Sequence, residues 1–303
     1  MANHFKIPLL WPFKMVPSTS TPGIHFDDAW ACEQIKSFES KVYYRQKWVK
    51  AETTKLQIES SLAPEPLKVY KTDGTVAKSI SWTAVHTEIG YKIYECTFDI
   101  SDLAEGVYYI YQQVTFGSIN WPTISEAIHS KTAWPGTLKF TYKNSFNKDD
   151  VAWTTGLQMT FRCEAGIMDF TPEAEITAYV NQTRDARVLD GTPFRTFKLY
   201  IGEAAGVAPY IVDIINRIFS CDYVSIEGMQ YVREGNAKVE VTRVKGYPLI
   251  GASLEITPAS NAQSLAFADT TPLAPGVVLH YNMETAFFGP GSLVPVIDVE
   301  EQG

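Results

Sequence analysis

Two stretches near the middle of the chain alternate between apolar and polar residues almost without error. In Thr137–Lys143, Leu138, Phe140 and Tyr142 take every second position, against Thr137, Lys139, Thr141 and Lys143. In Leu157–Glu164, Leu157, Met159, Phe161 and Cys163 alternate with Gln158, Thr160, Arg162 and Glu164. A period of two predicts half-buried strands of an antiparallel sheet. The intervening Asn144-Ser145-Phe146-Asn147-Lys148-Asp149-Asp150 is turn chemistry. The same reading predicts strands over Lys41–Val49, Thr54–Glu59, Tyr91–Phe98 and Val107–Val114, and a hairpin over Val69–Val76 turning at Asp73-Gly74. Further strands are predicted at Arg195–Ile201, Tyr223–Glu227, Lys238–Val244 and Leu249–Ile256. One segment changes period. In Pro209–Ser220, Ile211, Ile214, Ile215, Ile218 and Phe219 form a helical stripe, with Pro209 suited to the first turn.

These elements predict a mainly β protein. Residues 26–116 read as a β-sandwich of immunoglobulin-like type, and 117–257 as an antiparallel β domain carrying the helix 209–220. Residues 1–25, with Pro8, Pro12, Pro17 and Pro22, read as an irregular arm, and 258–303 as a proline-rich one. The N-terminal arm still carries Phe5, Ile7, Leu9, Leu10, Trp11 and Phe13. Such a segment packs either on its own domain or on a neighbouring subunit. The expectation is that at least one arm orders only in an assembly, and that deleting residues 1–22 leaves a folded domain.

Composition narrows the function classes. The 303 residues are 45% hydrophobic and 20% charged, as in ordinary globular proteins. A net charge of −8 argues against direct nucleic-acid binding, which needs a basic surface. Cys32, Cys96, Cys163 and Cys221 form no C-x-x-C pair, so no metal or redox motif is expected, and lone thiols suit a reducing cytoplasm. The segment Ile7–Phe13 is short and broken twice by proline, unlike a signal peptide. No apolar run reaches the ~18 residues of a membrane span, so membrane insertion is not expected.

Candidate chemistry is sparse. His25-Phe26-Asp27-Asp28 offers one nitrogen and two carboxylates to a metal, but an Asp-rich turn is by far the better explanation. Asp149-Asp150 and Glu300-Glu301 read as solvated charges, and Gly202-Glu203-Ala204-Ala205-Gly206 as a strand-to-helix turn without the Lys-Ser/Thr of a phosphate loop. Asn181-Gln182-Thr183 is a chance glycosylation triplet. Trp121, Trp134 and Trp153 could stack on sugars, although core or subunit packing is the plainer role. No catalytic, cofactor-binding or metal-ligating residue is therefore assigned, and no enzymatic activity is expected.

One resemblance adds to this. Ser125-Glu126, then Thr137-x-x-Phe140-x-Tyr142-x-Asn144-Ser145-x-Asn147 and Phe161-Arg162-x-Glu164-x-Gly166, resemble a pattern in phage tail proteins of Bacteroidota-infecting phages. The likeness continues through Phe194–Gly202, Ile214–Ile218 and Val224–Gly228 and ends near Tyr247-Pro248-Leu249, covering roughly residues 105–260. The resemblance implies a structural virion protein of a tail or baseplate, in long-tailed or crAss-like phages, with no active site. It further implies assembly in the host bacterial cytoplasm into a ring or hub, with copies of itself and other tail proteins as partners. The alternative is a phage-borne carbohydrate- or receptor-binding module, and a β-sandwich glycoside hydrolase stands third.

Overall fold

The two central alternating segments pair antiparallel in one register, Thr137 opposite Glu164 through Tyr142 opposite Met159. Phe140, Tyr142, Met159, Phe161 and Cys163 are all buried, as their period requires. They belong to a computed structural model describing residues 3–17, 44–117, 119–180, 184, 186–202, 206–235, 237–243 and 249–259, with only the backbone at 186–187 and 189–193. All described residues fall within one unit, Met1–Asn261. The fold is mainly β, with sheets that are antiparallel apart from the parallel pairing of Ala127–Lys131 with Arg45–Val49, and, among the described residues, a single α-helix.

The first eleven strands are β1 (Phe5–Lys6), β2 (Met15–Pro17), β3 (Arg45–Val49), β4 (Thr53–Ser60), β5 (Leu67–Lys71), β6 (Val76–Ile80), β7 (Thr83–Glu88), β8 (Tyr91–Asp99), β9 (Gly106–Phe116), β10 (Ile119–Ser125) and β11 (Ala127–Lys131). One sheet has the order β1-β4-β8-β7, the other β2-β10-β9-β11-β3 with the β5–β6 hairpin added to β9. Their inner faces meet at Trp48 of β3 and Phe98 of β8, whose rings lie 5.4 Å apart. The β5–β6 hairpin turns at Asp73-Gly74, where Gly74 takes φ 80° and the Asp73 carboxylate accepts the Thr75 amide.

The remaining strands are β12 (Thr137–Lys143), β13 (Met159–Val180), β14 (Ala186–Ile201), β15 (Tyr223–Ile226), β16 (Met229–Arg233), β17 (Glu240–Arg243) and β18 (Ile250–Pro258). They run in the order β14-β13-β12-β15-β16-β18, and β18 pairs back with β14. The circuit is therefore closed, which removes sheet edges over the paired length. β15 and β16 are joined by Glu227-Gly228, both at positive φ, the two-residue turn whose twist matches a hairpin. The helix α1 (Pro209–Ile218) follows β14 and buries Ile211, Val212, Ile214, Ile215 and Ile218. It ends two residues before Ser220, because its last turn tightens: the Ser220 amide bonds to Arg217 rather than continuing the helix.

Two features bear on the expected division of the chain. The boundary expected at 116/117 lies in the turn of a hairpin, since β9 and β10 pair across it from Phe116–Ile119 to Tyr111–Ile124. One core cluster also runs from Trp48, Leu56 and Phe98 to Phe140, Phe161 and Ile215. The N-terminal segment is likewise part of that core over its described residues 3–17. Leu10, Trp11 and Phe13 are almost fully buried, and β1 and β2 tie their flanks to β4 and β10. Trp11 Nε1 donates to the Gln57 carbonyl at 2.7 Å, and the Tyr142 hydroxyl to the Leu10 carbonyl at 2.7 Å. Pro8 and Pro12 prevent a helix, but not an extended strap that seats three large side chains. The C-terminal arm lies outside the described residues.

Candidate functional site

Most residues carrying the family-like pattern hold the architecture. Arg162 is buried, with Nε 3.1 Å from both Glu52 oxygens and Nη2 2.6 Å from Glu52 Oε1. It also donates to Thr137 and Glu227. Buried charges persist only when paired and hydrogen-bonded in this way. Glu164 accepts the Tyr44 hydroxyl at 2.6 Å and pairs with Lys47 at 3.0 Å. Asn144 accepts the Asp222 amide, and Asn147 accepts both the amide and hydroxyl of Thr154, so both asparagines pin loops.

The other nominated residues do not converge. His25, Asp27, Asp28, Cys32, Asn181, Glu300 and Glu301 lie outside the described residues. Asp149 pairs with Arg217 at 3.6 Å and Asp150 with Lys6 at 2.7 Å, rather than being merely solvated. Gly202 is needed for packing: a Cβ there would stand 2.7 Å from the Ile250 carbonyl oxygen, at φ 81°. Burial pushes the Cys96 and Cys163 thiols far up and Cys221 to about 12, which leaves them poor nucleophiles. Trp153 is buried, and Trp134 lies under Lys131 and against His129, so Trp121 is the most open of the three. Among the described residues no three His, Cys, Asp or Glu side chains group to hold a metal, and no helix is long and apolar enough to cross a membrane.

Several buried polar side chains have atoms without a hydrogen-bond partner, among them Gln46, Trp48, Ser130 and Thr196, and Glu126 is the one carboxylate with both oxygens so placed among the described residues. It is fully buried, and neither carboxylate oxygen has a hydrogen-bond partner. Desolvation raises its pKa to about 8, opposed by nearby backbone amides and by Lys14. The Tyr210 hydroxyl on α1 is also buried without a partner, and burial, reinforced by Glu126 and Glu164, pushes its ionisation up. Tyr210 borders a cavity of about 360 Å³ between the segment 7–17 and α1.

The most exposed construction is a ribbon. β13 and β14 run on together beyond their neighbours, since β12 stops pairing at Glu164 and β18 at Phe197. Residues 168–180, thirteen in succession, are all exposed. At ~3.3 Å per residue they extend roughly 40 Å. The ribbon is nevertheless amphipathic. Phe170, Pro172, Ala174, Ile176, Ala178 and Val180 share one face, and Thr171, Glu173, Glu175, Thr177 and Tyr179 the other.

A β-bulge at the root explains how the apolar face arises. Met168 pairs with Lys198 and Phe170 with Phe197, so Asp169 is the extra residue, at φ 49°. Its carboxylate accepts the Tyr200 hydroxyl at 2.6 Å. The inserted residue shifts the phase by one. The inward face of Phe161, Cys163, Ala165 and Ile167 therefore continues as Phe170, Pro172 and Ala174. Phe170 packs at 6.4 Å from Phe197, with the Arg195 guanidinium 5.5 Å from its ring. The expected strand at Arg195–Ile201 is only the inner end of β14, and the ribbon itself was not anticipated from sequence. Its signal was the alternation continuing past Glu164 with one residue slipped.

No family model matches this chain, and no curated protein or solved structure is significantly similar to it.

Proposed function

We propose that this chain is a non-enzymatic structural protein of a bacteriophage tail or baseplate, assembling into a ring or hub in the virion. Its partners are copies of itself and other tail proteins. The observation that supports this best is the ribbon: thirteen consecutive exposed strand residues with an apolar face. A two-stranded ribbon of this length is at best marginal alone in water, and a bare amphipathic face marks an interaction surface. The residues of the family-like pattern serve packing and loop support, in keeping with a building block. Light scattering and negative-stain microscopy on the purified full chain test the reading. A closed oligomer is expected, together with no turnover of peptides, esters or phosphoesters. A monomer at all accessible concentrations, or hydrolysis abolished by one substitution, would overturn it.

A further inference from the structure

The cavity beside α1 has a thin wall. Met15, Val16 and Pro17 of β2 line it on one side, and Tyr210 and Arg217 of α1 on the other. β2 ends its sheet and pairs, among the described residues, only with β10, over three residues. The next residue along is Glu126, whose amide donates to the Lys14 carbonyl at 3.2 Å. Its carboxyl group is fully buried, with neither oxygen bonded. We infer that β2 is a proton-controlled latch: it stays closed while the Glu126 carboxyl is neutral, and ionisation of that carboxyl favours its opening to water.

A buried carboxylate without hydrogen bonds must gain water or a partner. The least costly opening breaks the fewest contacts. β10 holds β9 over six residue pairs, whereas β2 gives up three, and its Met15 and Val16 are only half-buried. Leu10, Trp11 and Phe13 can stay in the core while β2 lifts. The groups around Glu126 leave it to carry the charge change. Lys14 faces it from the strap and only partly offsets its burial, with Nζ 4.7 Å from the centre of the Tyr210 ring. Tyr210 faces it from α1, and burial keeps that hydroxyl neutral well above its ordinary range. Beyond Tyr210, Glu164 of β13 is already held by the Tyr44 hydroxyl and by Lys47. The sign follows from linkage. Closed, Glu126 releases its proton at about 8, whereas an exposed glutamate does so at about 4.3. Opening is therefore rarest in acid, rises about tenfold per pH unit between about 5 and 7.5, and levels off above about 8.

Amide hydrogen exchange on the full chain, expressed as protection relative to the free peptide at each pH, tests the latch. The Glu126–Lys14 bond makes Val16 and Ile124 the next bonded pair, so the amides of Val16 and Glu126 are the reporters. Their protection should fall about tenfold per unit between pH 6 and pH 7.5. At every pH it should stay below that of Phe140 and Tyr142 in β12, because the opening is local. Glu126→Gln should be flat, at the protection the wild type has in acid. Tyr210→Phe should keep the wild-type slope. A wild type whose Val16 protection does not change with pH would overturn the latch. So would Val16 and Phe140 protected equally throughout, which would mean that β2 opens only when the whole core does. A slope that survives Glu126→Gln, or one that vanishes in Tyr210→Phe, would also overturn it, since another group would then carry the proton.

Discussion

Arg162 and Glu126 are buried ionisable groups treated in opposite ways. Arg162 is saturated with partners, and its two-nitrogen grip on Glu52 joins β13 to the turn before β4. Removing one partner of such a pair strands the other charge, at a cost of about 3–5 kcal/mol. Arg162→Met should therefore lower stability by that order in urea unfolding, and adding Glu52→Gln should recover part of the loss. Glu126 has no such partner, and its folded-state value of about 8 lies above that of an unfolded glutamate. The folded state holds its proton where the unfolded state has released it. Stability is thus intact below the unfolded value near 4.3 and falls as pH rises towards about 8. Urea unfolding at pH 5 and pH 8 should show this fall, and Glu126→Gln should flatten it. A wild type equally stable at both values would contradict the protonated burial of Glu126.

Among the elements, those with uninterrupted periods were legible in the sequence. β12, the inner half of β13 and α1 fall where alternation or the Ile211–Ile218 stripe put them. β10 and β11 were not read, since Trp121-Pro122 and Glu126 interrupt any simple period in chain order. The ribbon escaped because one bulge at Asp169 inverts the parity of every later residue, so Ile167 and Phe170 share a face although three apart. The candidate interaction surface was therefore encoded, but in a phase that only the pairing reveals. Where the N-terminal strap packs was left open by the sequence for a different reason. Prolines identify an extended segment, not what it lies against.

Two element-scale expectations follow from burial. Ile214 and Ile218 are buried on α1, and truncating a buried Ile to Ala typically costs 2–5 kcal/mol. Ile214→Ala should accordingly lower the thermal midpoint. Replacing residues 170–195 by a short glycine turn removes the exposed ribbon while Phe161, Cys163 and Leu199 stay in the core. Its thermal midpoint should stay close to that of the full chain.

At the largest scale, the described residues pack about one large core cluster, which includes Leu10, Trp11 and Phe13 of the N-terminal strap, and a smaller one about Tyr70, Tyr109 and Tyr111. Trp11 and Phe13 supply contacts to both sheets, so deleting residues 1–22 should unfold or severely destabilise the protein, by circular dichroism and thermal melting. Retention of native melting would show the strap to be an ornament. In the proposed assembly the packed sheets set the angle and the amphipathic ribbon supplies the contact. Light scattering on the full chain beside the ribbon-trimmed chain tests this division of labour most directly. The full chain should have the mass of a closed oligomer, and the trimmed chain should be a folded monomer. A full chain that remains monomeric, or a trimmed chain that assembles just as well, would contradict it.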